Sequence, residues 1–531
     1  MNLIKNNLQT IAFFFIVVFL YSLDLGNVNG LRQGTEGFYL LISKNMSETY
    51  DLLTPYIYGE RHWSKPPLHF WLPLPFSLFL DSFLLAARVS VLYFSIAMTL
   101  FITTLLPKNY IHSKLTFFLF LFSTVGFLKY TRIYMMEMPL LLLSTVGALG
   151  FYQISKFQSH YKTFTLFVFL MASSMLIKGP VSFVMVFSGA LLYSIVKGWS
   201  FFKSIFMRSF GYFTLSLLVG SIWFFISYYN YGEEFFNYFF LRENAGKFSA
   251  QPYPLRRVFQ GLIIFSLPWS LLFFFPKKLF SFIKESLNDD FFKFCLCNFF
   301  AFFVLWLIPN QRSHHYAMPS LIFFLLILYP FFHKFFSEIS TKLLKSYHFL
   351  FLFLITLVTF LSAYVFGFTF LYENFWSFLF IIFSVVLYFV FYKKQTKNIM
   401  LLKNILLISI VWCVLIPIFY LPIVPGSTID LLQDKKIGVN YRKPFFIEEQ
   451  INKEVTILND NNTMQFLDGT NLIILPYFKL NIIKGARSVR VVSRWKIWKR
   501  GLKVSDIYKS VSLNRQEDLY TAMVLVELKQ D

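Results

Sequence analysis

Residues 59–71 read GERHWSKPPLHFW, so Glu60, Arg61, His62, Lys65 and His69 crowd around a double proline. Pro66 and Pro67 offer no backbone N–H and break any helix running into them. Long apolar runs lie on both sides, at 8–23 and 83–106. A polar knot between two runs that can cross a lipid layer belongs at the layer's surface, because charge at its centre is costly. The fold reading grows from that placement: helices within the membrane, and charge gathered at one face.

Composition agrees. Of 531 residues, 56% are hydrophobic, 21% aromatic and only 14% charged, with a mean hydropathy of +0.58. A soluble chain of this size carries about a quarter charged residues. The 49 Lys and Arg outnumber the 27 Asp and Glu, for a net charge of +22. No basic stripe interleaves with a soluble fold, so nucleic acid is not the expected partner. Cys295, Cys297 and Cys413 all fall in apolar runs, which supports neither a disulfide framework nor a zinc module.

Runs long enough to span fall at 8–23, 83–106, 115–128, 138–154, 163–177, 181–196, 210–228, 259–275, 294–309, 317–332, 349–371, 375–392 and 405–424. The first reads as a retained span; a cleaved signal peptide is the alternative. With a cytoplasmic N-terminus, the inner loops are 107–114, 155–162, 197–208, 276–293, 333–348 and 393–404. All are basic, from Lys108 and Lys114 to Lys393, Lys394, Lys397 and Lys403, as positive charge retained on the inside requires. The expected fold class is therefore an α-helical polytopic membrane protein of about thirteen transmembrane helices. The transmembrane domain covers 1–424, with outer loops 24–82 and 229–258. The tail 425–531 is polar, with strand-like runs at Leu472–Leu475 and Ala522–Val526. It is expected to form a small extracytoplasmic α/β domain.

The reactive groups concentrate outside. Loop 24–82 carries Glu36, Arg61 and Lys65, and its segment Pro66–Phe79 cannot be one regular helix. That segment is expected in the interface, with Trp63, Phe70 and Trp71 at headgroup depth. Glu137 interrupts an apolar stretch, Lys178 sits in the turn "IKGP", and Arg88 lies near the start of a span. Carboxylates and cations at the outer face suit a lipid phosphate whose tail stays in the bilayer. A phosphate leaving group needs a cation rather than an acid, and an acceptor hydroxyl needs a carboxylate. The bland readings are solvated loop carboxylates and lysines that snorkel to headgroups. His62 and His69 lack ligand spacing, as do the adjacent His314 and His315, so no metal cofactor is required.

The ordered motifs "TEGFY" (35–39), "YGERHWSKPPLHFWL" (58–72), "LAARVS" (85–90), "RIYMMEMPLL" (132–141), "LIKGPVSF" (176–183), "RENAGKF" (242–248), "LPWSLLF" (267–273) and "NQRSHHYAMPS" (310–320) resemble the GT-C glycosyltransferases. Within these the chain is most similar to the lipid A aminoarabinose transferase and bacterial protein mannosyltransferase-like group. The resemblance implies transfer of a sugar from a polyprenyl-phosphate donor to a lipid, glycan or protein acceptor at the periplasmic face of the inner membrane. It implies catalytic carboxylates at Glu36 and Glu137. Donor-phosphate ligands would come from Lys65, Arg61, Arg88, Lys178, Lys247 and Arg312, and cavity walls from Tyr39, Trp71 and Tyr316. Thr35 stands where the family has an aspartate and Ser64 where it has an acidic residue. Rival classes are a transporter or lipid flippase, which predicts broken helices in two related halves, and a non-catalytic family member.

Overall fold

The structure, a computed structural model, describes residues 2–28, 35–57, 59–111, 113–156, 161–336, 349–350, 353, 356–357, 360–367, 379, 396–410, 424–432, 435–441, 444–458, 463–466, 471–481, 489–499 and 504–528. These form two compact units: one of 1–25, 39–348 and 392–409, the other of 26–38, 349–391 and 410–531.

The first unit is helical. Its principal helices are α1 (Asn2–Ser22), α2 (Glu36–Thr49, whose first residues belong to the second unit), α3 (Phe83–Leu105), α4 (Lys114–Phe122), α5 (Val125–Thr131), α6 (Glu137–Lys156), α7 (Tyr161–Lys178), α8 (Val181–Lys197), α9 (Trp199–Phe236), α10 (Arg256–Phe265), α11 (Asp290–Leu305) and α12 (Leu321–Lys334). Local chemistry sets several starts. Ser82, Ser113, Thr124 and Asp289 accept a backbone N–H from the first turn of α3, α4, α5 and α11, which satisfies donors a helix start leaves open.

Among the described residues five segments are long and apolar enough to cross a membrane: Phe83–Leu105, Glu137–Lys156, Tyr161–Lys178, Arg208–Ser249 and His314–Lys334. The helices Thr10–Ser22 and Val181–Lys197 are apolar but shorter. The runs expected at 349–371, 375–392 and 405–424 lie partly or mostly outside the described residues. Small residues set the packing. A Cβ on Gly189 of α8 would lie 2.2 Å from Asn298 Oδ1 of α11, so those backbones approach as only glycine permits. Nearly every side chain of α6 is buried, making it the core helix, whereas α9 exposes Leu218, Ile222 and Phe225 on one side.

Two expectations are corrected. Trp63 and Phe70 are fully buried rather than interfacial. Trp63 packs with Trp223, Phe235 and Phe239, and Phe70 with Ile42 and Met46; an aromatic ring in a protein core gains more contact than one among headgroups. The outer loop expected at 229–258 is largely helical. α9 runs on to Phe236 across a kink at Gly232 (φ 53°), then winds as a π-helix over Asn237–Ala245. The double proline works as read: two four-residue helices, Leu68–Trp71 and Leu74–Ser77, replace one continuous helix, and the strands β1 (Tyr56–Ile57) and β2 (Glu60–Arg61) pair antiparallel just before them.

The second unit holds a five-stranded sheet in the order β4-β3-β5-β7-β6. Its strands are β3 (Ile437–Val439), β4 (Thr456–Ile457), β5 (Leu472–Pro476), β6 (Val489–Trp498) and β7 (Tyr520–Leu528). β3 runs parallel to β4 and β5, and β7 is antiparallel to β5 and β6. β5 is buried at every position, as its unbroken LIIL run requires of a central strand. Ile473, Leu475, Val524 and Val526 form its core. The chain is thus a polytopic helical protein with a small mixed sheet near its C-terminal end.

Candidate active site

Glu137 is the first residue of α6 and Lys178 the last of α7. A carboxylate at a helix N-terminus and an ammonium at a helix C-terminus are each favoured by the peptide dipoles. Directly after Lys178 the chain reverses through Gly179 at φ +85°, where an added Cβ would meet Phe239 at 3.0 Å. Glycine is needed there both for the left-handed backbone and for the space.

Those helix ends bring Lys178 Nζ to 3.6 Å from Glu137 Oε1 with both side chains buried. His315 Nε2 lies 3.6 Å from the same oxygen, and His315 Nδ1 shares a 2.8 Å hydrogen bond with Ser313 Oγ. The Lys178 ammonium sits over the Trp306 and Tyr316 rings, 4.8 and 5.3 Å from their centres. Glu137 Oε2 is buried with no hydrogen-bond partner, which costs about 1–3 kcal/mol and marks an acceptor held open for something else.

Lys65 joins from the loop. Its ammonium lies 3.6 Å from Glu243 Oε2, a residue of the π-helix, and donates to the Ser64 carbonyl at 2.6 Å. Burial lowers the Lys65 pKa; Glu243 opposes that, and the Lys178 charge adds to it. Lys247 feels the charges of Lys65, Lys178 and Glu243. Tyr39 reaches toward Met136, its hydroxyl 3.9 Å from Sδ; burial first, then Glu137, raises its pKa well above the usual phenol value, so it stays protonated. Beside it His69 is fully buried, stacked on Tyr134 at 4.3 Å, with neither ring nitrogen hydrogen-bonded. Burial, and then the Lys178 charge, lowers the His69 pKa to about 3, so it is neutral.

The structure therefore gathers Glu137, Lys178, Lys65, Lys247, Tyr39 and Tyr316. Other residues named from the sequence are engaged elsewhere. Arg61 pairs with Glu234 at 2.8 Å on the surface. Trp71 Nε1 donates to the Leu52 carbonyl. Arg88 is buried and donates to the Leu25 carbonyl at 3.0 Å. Arg312 holds the Leu307 and Tyr253 carbonyls at 2.9 and 2.8 Å. Glu36 opens α2, is buried, and belongs to the second unit, where Phe445 and Phe446 pack against the neighbouring Gly37.

Sequence reasoning passed over His315, Glu243 and Trp306. Adjacent side chains diverge, and that divergence is what sends His315 inward. Glu243 stands in a motif already conspicuous, "RENAGKF", but only the π-helical winding turns it toward Lys65. Among the described residues no group of three or more His, Cys, Asp or Glu gathers as a metal site. Lysines outnumber carboxylates in this buried cluster, and such a surplus binds an anion with tetrahedral oxygens better than it binds a metal ion.

No family model matches the chain. Two uncharacterized proteins of Aquifex aeolicus (strain VF5) are similar in sequence. One is 27% identical over 314 residues, 57% of this chain and 60% of its own length. The other is 28% identical over 329 residues, 60% of this chain and 71% of its own length. The match thus spans about three-fifths of the first relative. Two crystal structures of ArnT from Cupriavidus metallidurans are similar in fold. The complex with undecaprenyl phosphate has a TM-score of 0.68 at 14% identity, covering 97% of this chain and 98% of that one. The apo state has a TM-score of 0.67 at 14% identity, covering 99% and 98%. The resemblance read from ordered motifs is thus a shared GT-C fold over nearly the whole length, and the chain is a multi-pass membrane protein.

Proposed function

We propose that this protein is a membrane-embedded inverting glycosyltransferase. It moves a sugar from a polyprenyl-phosphate donor to a lipid, glycan or protein hydroxyl at the periplasmic face, with its N-terminus in the cytoplasm and its C-terminal domain, 425–531, outside. The observation that carries this reading is the unpartnered Glu137 Oε2, buried among lysines at the end of a membrane-spanning helix. The fold shared with ArnT, whose structure holds undecaprenyl phosphate, supports the donor class.

In this reading the donor's tail stays in lipid and its phosphate takes Lys65, Lys178 and Lys247 as counter-charges. The acceptor oxygen attacks the anomeric carbon opposite the phosphate, and the carbon–oxygen bond to phosphate breaks as the new one forms. The configuration inverts, and the acceptor's proton passes to a carboxylate. Phosphate leaves without protonation, so the lysines stabilise the charge that grows on it. Glu137 orients sugar or acceptor hydroxyls through its open oxygen, and Glu36 is the proposed base. Tyr39 and Tyr316 wall the cavity. Arg88 and Arg312 act through the backbone they hold, and Arg61 and Trp71 fix the loop that carries Lys65.

The test is transfer from a radiolabelled polyprenyl-phosphate sugar in membranes. Glu137→Gln and Lys178→Ala are expected to abolish most transfer at unchanged protein level. Full transfer by both Glu36→Gln and Lys65→Ala would overturn the site assignment.

A further inference from the structure

At the end of α6 remote from Glu137 lies a second built feature. Between α6, α8 and α9 the structure encloses a cavity of about 110 Å³, open on one side and walled by Phe151, Phe187, Leu191, Phe202 and Phe213. A cavity of roughly this size stays dry when its walls are apolar, and takes apolar guests. Two further observations say what kind of guest. Ser209 also lines the cavity, and its Oγ is buried without a hydrogen-bond partner. The adjoining helix ends carry Lys156 and Lys197, both on Asp290 (2.5 and 2.7 Å), while Arg208 donates to the Ser155 carbonyl. Two lysines thus share one carboxylate, with Arg208 on the backbone next to Lys156, and each lysine remains about 30% exposed.

We propose that this pocket is a binding site for one anionic glycerophospholipid. The acyl chain lies along Phe151, Phe187 and Phe213, as an apolar cavity opening sideways from a membrane helix requires. An ester carbonyl accepts from Ser209 Oγ, a hydroxyl at the depth where a chain joins its glycerol. The phosphate meets the exposed sides of Lys156 and Lys197, with Arg208 beside them on the Ser155 carbonyl. The groups follow the order of a lipid molecule: headgroup, ester, chain. Ser209 gives the apolar wall a polar atom, placed beside Arg208 in the chain. The site shares no residue with the transfer centre, so the proposal stands or falls independently of it.

The test uses the purified full-length protein and native mass spectrometry with equimolar phosphatidylglycerol and phosphatidylcholine of identical chains. Phosphatidylglycerol is expected to be retained over phosphatidylcholine by about 5-fold, the scale of one lysine–headgroup contact. Leu191→Trp, a substitution at a half-exposed wall position, is expected to fill the opening and cut phosphatidylglycerol retention by a similar factor. Lys197→Gln, which leaves Lys156 on Asp290, should bring the ratio of the two lipids toward one. Equal retention of the two lipids by the unaltered protein overturns the proposal, whether or not the variants fold. So does unchanged retention in a folded Leu191→Trp protein.

Discussion

The C-terminal end of α6 presents Lys156 to Asp290 at 2.5 Å, with Lys197 at 2.7 Å and the Tyr193 hydroxyl donating at 2.8 Å. At its N-terminal end Glu137 meets Lys178 and His315 only at 3.6 Å each and keeps one oxygen unpartnered. The ingredients are alike, a carboxylate with basic neighbours at a helix end. The first set is tight and partly exposed, so solvent shares the cost of the charges and the contacts hold three helices in register. The second is buried and loose, so its charges are held at a cost that solvent does not share. Length of contact and depth of burial, more than the mere presence of charge, distinguish the two ends.

That contrast breaks first at Lys178. Lys178→Ala is expected to slow transfer by ~100-fold or more in the protein that remains folded, the scale for losing one preorganised charge at a reacting phosphate. It should also lower the melting temperature in detergent, because Glu137 loses its buried counter-charge. If the variant transfers normally, the two ends of α6 are equivalent and the comparison collapses. Asp290→Ala should act on stability alone. Freed lysines at a partly exposed site should lower stability by about 1–2 kcal/mol, read as a shift in thermal melting, with transfer by the surviving folded protein unchanged.

A pH profile sharpens the same point. The folded pKa of Lys65 is below its ordinary value, so its charge is present at low pH and disappears, as pH rises, earlier than that of a free lysine. Transfer should therefore fall along an alkaline limb, and Lys65→Arg should push that limb to higher pH because a guanidinium keeps its proton. A limb unmoved by the substitution would remove Lys65 from phosphate binding. The smallest effect is expected at Arg61→Gln. Its pair with Glu234 is exposed and screened by solvent, so both melting and transfer should stay near the unaltered values.

Much of this was legible beforehand because it rests on local rules. Basic loops, the helix break at Pro66-Pro67 and the strand at Leu472–Leu475 each follow from residues close in sequence. So did the attention drawn to Lys65, Glu137 and Lys178, charges set against apolar runs. What escaped was set by distant backbone. Arg88 and Arg312 bear the same charge as any phosphate ligand; only the carbonyls left open at Leu25, Leu307 and Tyr253 decide what they bind, and a sequence does not show which carbonyls are open. Trp63 carries an interfacial residue's chemistry, yet the kinked α9 supplies a core for it. Glu243 was hidden by winding: a π-helical turn spaces side chains differently from the α-period used to read faces.

α6 also acts as a ruler. Twenty residues at 1.5 Å each give ~30 Å, matching the hydrocarbon layer, and both ends carry charged side chains. Such a rod resists stretching or shortening, so the bilayer around it must adapt to its length. In a bilayer of longer acyl chains Glu137 would sink below the plane where a donor's phosphate rests, and in a shorter one it would stand above it. On the proposed function, transfer should therefore depend on bilayer thickness through the interval from Glu137 to Lys156.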